Sequence, residues 1–286
     1  MNAYLLVFCA ALLWGLIGTL SRGLLEEGVS ALEIAFWRAF LAGGIFLLHA
    51  ALLKKLKLDR GRDLIPLAAF SVLGVTVFYA AFTLAVATGG ISLATILLYT
   101  APAFVALAAR FFLRESMTPR KLALMAMTLL GVALVSSGGG EGIRVSSLSV
   151  GWGLVAAVSY ASYYIFGKWA LARYAPVTIY ACVLPLGALS LLPLVSFSPK
   201  GLSAWGLLLL LSVLSTYLAY LLYYTGLKTI EASRAVLVAS VEPVFAALLA
   251  ALIFAERFSA LGLAGAGLVL CAALLASLPQ GKGSGS

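Results

Sequence analysis

The sequence predicts an all-α polytopic membrane protein of ten transmembrane helices, and three observations lead to this prediction. Of the 286 residues, 63% are apolar and 10% are charged, and the mean hydropathy is +1.11. The charges gather in short clusters that separate long uncharged runs. Most of these runs are about 19 to 25 residues long, close to the ~20 residues that a helix needs to cross the hydrocarbon core. We therefore expect a lipid bilayer to surround the chain.

Ten spans follow from these runs, because Pro, Gly or charged residues mark their boundaries. They are placed at residues 3–22, 31–53, 64–86, 90–112, 119–137, 149–172, 176–196, 203–227, 232–254 and 258–278. The longest connections, 54–63 and 138–148, leave no room for a separate soluble domain.

A stretch of the first half of the chain recurs in the second half. Residues 90–115 are GISLATILLYTAPAFVALAARFFLRE, and residues 231–256 are EASRAVLVASVEPVFAALLAALIFAE. A shift of 141 positions without a gap places Ser92 on Ser233, Pro102 on Pro243 and Glu115 on Glu256. A proline and a glutamate held in register are harder to produce by chance than shared apolar residues. We predict two units, 1–140 and 141–280, and interpret 281–286 as a cloning remnant.

Five spans in each unit is an odd number, so the second unit must enter the membrane from the opposite side. Inverted repeats of this kind are typical of carriers that expose a central site to each side of the membrane in turn. With a cytoplasmic N-terminus, eleven basic residues fall in inner loops and four in outer loops, as the positive-inside rule requires. The inner set is Lys54, Lys55, Lys57, Arg60, Arg62, Arg110, Arg114, Arg120, Lys121, Arg173 and Lys228, and the outer set is Arg22, Arg144, Lys200 and Arg257. Both termini are expected in the cytoplasm.

The basic character of the chain does not indicate a nucleic-acid partner. The net charge is +9, but the basic residues lie between apolar spans, where positive charge sets topology. Cys9, Cys182 and Cys271 lie inside apolar runs and show no metal-binding spacing. Nucleotide-binding and hydrolase motifs are absent, so we expect no cofactor, no metal and no ATP hydrolysis.

Glu242 is the carboxylate that lies deepest in any span, and it precedes a proline, Pro243. Three roles are open for it: binding a substrate amine or a coupling proton, bonding backbone groups freed by Pro243, or lining a wet cavity. Pro102 and Pro243 are expected to kink their helices at equivalent positions. Paired interruptions of this kind indicate a binding site between two repeats.

Aromatic side chains with polar tips recur on the spans that would surround this centre. They are Trp14, Tyr79, Tyr99, Tyr160, Tyr163, Tyr164, Tyr217, Tyr220, Tyr223 and Tyr224. Tyr217, Tyr220 and Tyr224 are spaced to share one face of an α-helix. A tyrosine hydroxyl in hydrocarbon needs a partner, so we expect a pocket or an inter-helix network. The predicted substrate-binding set is Trp14, Tyr79, Phe82, Tyr99, Tyr160, Tyr163, Tyr220, Tyr224 and Glu242.

Arg38, in the outer part of the second span, is a candidate gate residue. It has two possible partners, Glu33 five residues earlier and a substrate carboxylate. A membrane-embedded enzyme using Glu242 and a channel are alternatives to a carrier. The enzyme lacks a second acid or histidine at comparable depth.

These residues together resemble the EamA-type transporters of the drug/metabolite transporter superfamily. The resemblance rests on the two repeated stretches and on the ALLWG segment at residues 11–15, and it covers nearly the whole chain. It implies a bacterial inner-membrane carrier, commonly an exporter of amino acids or related metabolites, with spans five and ten at the periphery. A multidrug or other metabolite carrier of the same fold is the alternative. The small multidrug carriers of the superfamily have a Glu in their first helix, where this chain has Trp14 and no acid. We expect a monomer that binds a small molecule, and protons are a possible coupling partner.

Overall fold

A computed structural model describes residues 2–56, 58, 61–137, 146–254 and 259–278, and every regular element in these ranges is helical. The predicted boundary between the units at residue 140, Glu256 and the segment 281–286 lie outside the described residues. The α-helices are α1 Ala3–Glu26, α2 Ala31–Leu52, α3 Leu64–Ser71, α4 Phe78–Gly89, α5 Ile91–Leu98, α6 Ala101–Phe112, α7 Pro119–Ser137, α8 Ser147–Leu171, α9 Pro176–Leu191, α10 Leu202–Ser212, α11 Ala219–Leu227, α12 Ala232–Ala239, α13 Glu242–Phe254 and α14 Ala260–Ser277.

Within the described ranges, nine helical stretches are long and apolar enough to cross a membrane. They coincide with nine of the predicted spans, and several of them combine two α-helices, as in Leu202–Leu227. The predicted span 119–137 forms α7, a helix of 19 residues that is not among the nine. The structure therefore confirms an all-helical membrane protein.

Four helical stretches are interrupted, and the interruptions follow the internal duplication. A π-helical turn at Val72–Val77 joins α3 to α4, and a second at Val213–Leu218 joins α10 to α11. These two turns are 141 positions apart, the same shift that aligns the repeated sequences. The break between α5 and α6 and the break between α12 and α13 are separated by the same shift. Each half thus places one widened turn and one break at equivalent positions.

The turn between α1 and α2 shows how local sequence ends one helix and begins the next. Gly28 takes a positive φ of 81°, a conformation that glycine adopts without steric cost. The amides of Gly28 and Val29 then donate to the carbonyls of Leu25 and Leu24, which closes α1 in a Schellman motif. The Ser30 hydroxyl accepts from the Glu33 amide and caps α2. Two antiparallel helices are joined by four residues, Glu27 to Ser30.

The pairing of α7 with α14 depends on two glycines in close contact. A Cβ at Gly131 would lie 2.8 Å from the Gly265 carbonyl oxygen, and a Cβ at Gly265 would lie 2.5 Å from the Gly131 carbonyl oxygen. No such contact exists at Gly267, where a Cβ would meet nothing within 4 Å. Small residues at such a point let two helix backbones approach closely in a membrane.

Candidate functional site

A cavity of about 460 Å³ lies inside the helical bundle, within the size range typical of small-molecule sites. Its walls come from α1, α2, α4, α5, α7, α8, α11 and α13, so both halves of the chain contribute. The lining residues are Trp14, Ile17, Gly18, Arg38, Phe78, Tyr79, Phe82, Thr95, Leu98, Tyr99, Val135, Tyr160, Tyr163, Tyr164, Tyr220, Tyr223, Glu242, Pro243, Ala246, Ala247 and Ala250.

The two ends of the cavity differ in structure. We assign Thr95, Val135 and Ala250 to one end, because α7 packs against both α5 and α13 and each residue lies within about one turn of a helix terminus. At the other end the rings of Tyr164 and Tyr223 meet edge to face, with 5.6 Å between centroids. Tyr223 also lies within about one turn of the C-terminus of α11.

Most residues predicted to bind substrate do meet at this cavity. Its lining includes eight of the nine, together with Arg38 and Pro243; the eight are Trp14, Tyr79, Phe82, Tyr99, Tyr160, Tyr163, Tyr220 and Glu242. Tyr224 and Pro102 do not line it. Residues from six separate helical stretches therefore converge on one space.

Tyr217, Tyr220 and Tyr224, which are spaced to share one helix face, do not all line the cavity. Tyr217 lies against α2, where its hydroxyl is 2.8 Å from Nδ1 of His49. Tyr224 packs over Gly167, and its hydroxyl donates to the Tyr163 carbonyl at 2.9 Å. The prediction assumed a continuous α-helix, but the π-helical turn ends at Leu218 and changes the register of Tyr217 relative to α11. Tyr220 and Tyr223 are the α11 residues that line the cavity.

Pro102 and Pro243 do not bend continuous helices. The chain breaks before each of them, so that α6 begins at Ala101 and α13 begins at Glu242. Each proline therefore occupies the first turn of a new helix, where its missing N–H has no intrahelical partner to lose. The predicted interruptions are present as breaks between two helices rather than as kinks within one.

The Glu242 side chain is presented to the cavity at the N-terminus of α13. A carboxylate is favoured there by the exposed amides of the first helical turn. The hydroxyl groups of Tyr99 and Tyr160 lie beside it. Helix α1 fits closely against this turn, because a Cβ at Gly15 would lie 3.3 Å from the Glu242 carbonyl oxygen and 2.9 Å from Phe245 Cβ. Helix α1 thus packs on the backbone of this turn, and the carboxylate lies beside two tyrosines.

Arg38 projects into the same cavity from α2. Its Nε donates to Oγ1 of Thr216 at 3.2 Å, and its guanidinium carbon lies 5.5 Å from the centre of the Tyr79 ring. Arg38 and Glu242 line the same cavity, but the two residues form no ion pair with each other. The cavity therefore holds one cationic and one anionic side chain that do not neutralise each other by contact.

The considered pairing of Arg38 with Glu33 is wrong. Glu33 is fully buried and accepts hydrogen bonds from the Ser198 amide at 3.2 Å, the Ser198 hydroxyl at 2.8 Å and Nε1 of Trp37 at 3.3 Å. It also forms an ion pair with the buried ammonium of Lys200. Five residues separate Glu33 from Arg38, more than a helical turn, so their side chains point in different directions.

Aromatic rings in mutual contact form the part of the cavity wall that contains Trp14, Tyr163 and Tyr220. Trp14 contacts Tyr220 and Tyr223, with centroid distances of 5.7 Å and 5.1 Å. The Tyr220 ring lies 5.8 Å from that of Tyr163 and stacks on Tyr180 at 4.5 Å. These contacts join α1, α8, α9 and α11 through rigid side chains, which keeps the wall in place.

Comparison with known proteins identifies the family. The sequence pattern of the EamA-like transporter family matches residues 1–137 and 147–278. The chain belongs to the EamA-like transporter family. It is therefore a membrane transporter, and the resemblance predicted from the sequence is confirmed.

Relatives of this EamA-family protein have matching lengths. An uncharacterized transporter of Archaeoglobus fulgidus is 28% identical over 274 residues, covering 94% of this chain and 96% of the relative. The uncharacterized inner membrane transporter YicL of Salmonella typhimurium is 27% identical over 283 residues, covering 95% of this chain and 94% of the relative. A crystal structure of another protein superposes with a TM-score of 0.79 at 20% identity and covers 96% of both chains, which shows a shared fold.

The predicted binding set of the EamA-family protein missed several lining residues. Tyr164 and Tyr223 are among the aromatic residues that the sequence places around the centre, but the predicted set omits them. Tyr223 could have been found from the duplication, because the shift of 141 places it on Phe82, which was assigned. Thr95, Val135 and Ala250 carry no sequence signal of their own, because small or apolar residues are common throughout membrane helices.

Proposed function

We propose that this EamA-family protein is an alternating-access secondary carrier built from ten transmembrane helices in two inverted five-helix units. The units are residues 1–140 and 141–280, and α7 supplies the tenth crossing. Two observations support the inversion: the matching helix breaks and the matching π-helical turns, each pair 141 residues apart. Because each unit crosses the membrane an odd number of times, the second unit runs through the membrane in the opposite sense to the first.

The orientation follows from the distribution of basic residues. Lys54, Lys55, Arg114 and Lys228 lie in described connections that the proposal places on the cytoplasmic side. Both termini then lie in the cytoplasm, and the membrane is the cytoplasmic (inner) membrane. The protein acts as a monomer, because both halves of the cavity wall come from one chain.

The substrate is a small amphipathic zwitterion, most simply an amino acid that the carrier exports. The observation that supports this class is the presence of Arg38 and Glu242 in one cavity without an ion pair between them. Arg38 would bind the carboxylate and Glu242 the ammonium group, as charge-assisted hydrogen bonds favour. The aromatic wall of the cavity would hold an apolar side chain and attract the ammonium charge.

Counterflow in liposomes tests the proposed function. Purified protein is reconstituted, the vesicles are loaded with unlabelled leucine or phenylalanine, and uptake of the labelled compound is followed. A carrier accumulates label transiently, whereas a channel only equilibrates it and an enzyme converts it to another compound. Competition by the analogue without an amine and the analogue without a carboxylate then tests the zwitterion. Both analogues are expected to compete at least about tenfold more weakly, the loss of one charged hydrogen bond. Equal competition by all three compounds would exclude the zwitterion site.

A further inference from the structure

The turn between α11 and α12 is held by side chains from three other parts of the chain. Glu115, which follows α6, accepts hydrogen bonds from the Ala232 amide at 2.7 Å, the Ser233 amide at 3.1 Å and the Ser233 hydroxyl at 2.5 Å. Glu115 is 8% exposed. A carboxylate at this position satisfies amides at the N-terminus of α12 that have no intrahelical partner, and it complements the helix dipole.

Two lysines hold the same turn. Lys168, in the last turn of α8, donates to the carbonyl oxygens of Leu227 at 2.8 Å and Ile230 at 2.5 Å. Lys121 of α7, whose side chain is 3% exposed, forms an ion pair of 3.1 Å with Glu231. Its ammonium also donates to the Ser116 carbonyl at 2.8 Å, which ties the turn to the connection that carries Glu115.

This turn lies next to the end of the cavity formed by Tyr164 and Tyr223. Leu227 follows Tyr223 by one helical turn on α11. On the other side of the turn, α12 leads without further loops to the break that precedes Glu242. A displacement of the turn would therefore move both the end of the cavity and the helix that positions Glu242.

The ion pair joins the two sequence repeats, Lys121 in the first and Glu231 in the second, and it has no repeat-equivalent counterpart. The shift of 141 places Glu231 on Gly90 and Gly262 on Lys121, so the first repeat has no carboxylate and the second has no ammonium at the equivalent positions. The equivalent turn, at Gly90, precedes Thr95 at the other end of the cavity. The two ends are therefore held by different forces, although their backbones are related by the repeat.

We propose that Glu115, Lys121 and Lys168 are positioning residues that form a latch on the α11–α12 turn. The latch closes the cavity at the Tyr164–Tyr223 end and fixes Glu242 through α12. Its release opens that end and is coupled to closure between Thr95, Val135 and Ala250. This inference rests on the proposed alternating-access function.

Cysteine accessibility tests the latch without requiring a substrate. In a background without Cys9, Cys182 and Cys271, single cysteines replace Thr95, which lines the cavity, or Ala235, which is fully buried on α12. Each is labelled with a membrane-impermeant maleimide in permeabilised vesicles, so that the reagent reaches both faces of the membrane. Glu115→Gln keeps the side-chain size but replaces one acceptor oxygen with an amide group that cannot accept from Ser233. Glu26→Gln, which removes an ion pair that is exposed on α1, is the matched control.

The latch predicts a reciprocal change in the Glu115→Gln variant. Labelling at position 235 should rise about tenfold, as expected for loss of a charge-assisted hydrogen bond, and labelling at position 95 should fall. Lys121→Met should change the labelling of positions 235 and 95 in the same directions as Glu115→Gln does. Glu26→Gln should change the labelling of neither position. A rise at position 235 without a fall at position 95 would mean local loosening, and no change at either position would mean that Glu115 only caps α12; both results overturn the latch. Counterflow lost in every variant with the reciprocal labelling intact would contradict the proposed transport function and leave the latch standing.

Discussion

The Tyr163 hydroxyl donates a hydrogen bond of 2.6 Å to the backbone carbonyl of Gly74, which lies in the π-helical turn Val72–Val77. A π-helical turn departs from the regular hydrogen-bonding ladder, so a side chain from a neighbouring helix can bond its backbone. The close approach depends on Gly74, where a Cβ would lie 3.3 Å from the Tyr163 ring and 2.7 Å from that of Phe70. The cavity wall on α8 is thereby attached to the widened turn between α3 and α4.

Replacing Tyr163 with Phe should destabilise the protein. The change leaves the buried Gly74 carbonyl without the Tyr163 donor, at a cost of about 1–3 kcal/mol. Ser215 is the repeat-equivalent of Gly74, and its hydroxyl is buried without a hydrogen-bond partner. Ser215→Ala should therefore be neutral or slightly stabilising. Thermal unfolding in detergent measures both, and equal melting temperatures for the two variants would contradict the assigned hydrogen bond.

Replacing Arg38 with Met should weaken the binding of substrates that carry a carboxylate. Arg38 is 5% exposed and is the basic residue that lines the cavity in the described structure. Loss of its charged hydrogen bonds should raise the half-saturation concentration of leucine in counterflow about tenfold or more. The analogue without a carboxylate should be affected far less. Arg22→Met, at the end of α1, is the control, and a uniform loss for all compounds would argue against a carboxylate contact.

Replacing Glu242 with Gln tests the amine contact and the proton role together. The amide keeps the size of the side chain but carries no charge and takes up no proton. The variant should exchange leucine about tenfold more slowly than the unmodified protein does. For the analogue without an amine, the two proteins should show the same rate of exchange. If Glu242 also couples protons, the dependence of exchange on pH should disappear in the variant. Unchanged exchange with an unchanged pH profile would remove Glu242 from the mechanism.

Replacing Lys200 with Met should be severely destabilising. The Lys200 and Glu33 side chains are 4% and 0% exposed, and the change leaves a buried carboxylate without its counter-ion. Breaking one partner of a buried pair costs about 3–5 kcal/mol. The ammonium of Lys200 also lies 5.5 Å and 5.7 Å from the ring centres of Trp37 and Trp205. Arg22→Met, which breaks an exposed pair with Glu26, should change the melting temperature little.

Replacing Gly265 with Ala should separate α7 from α14, whereas Gly267→Ala should not. The new methyl group at position 265 would overlap the Gly131 backbone, and overpacking of this kind costs about 1–3 kcal/mol. Position 267 has open space for it. The comparison needs only unfolding curves of the two variants. A larger loss at position 267 would show that the pairing of these helices is misassigned.

The sequence predicted the helical class, nine of the observed spans and the duplication because each rests on composition or on local register. A run of about 20 apolar residues has few ways to satisfy its backbone in lipid other than a helix. The depth of Trp14, Tyr163 and Tyr220 followed from their positions along those runs. The internal duplication pointed to a site between the two halves of the chain, and ten of the predicted residues line one cavity.

The sequence by itself therefore determined what depends on neighbours along the chain: which stretches are helical, that two of them are interrupted near Pro102 and Pro243, and which polar residues lie deep. Tertiary structure decided which side chains meet. It placed Arg38 on Thr216 and Tyr79 rather than on Glu33, and it turned Tyr223 instead of Tyr224 toward the cavity. It also brought Glu115 to Ala232 at the start of α12, 117 residues away. The physical reason is that the rotation and approach of each helix depend on close packing at points such as Gly15 and Gly167, which no local pattern of apolar residues specifies.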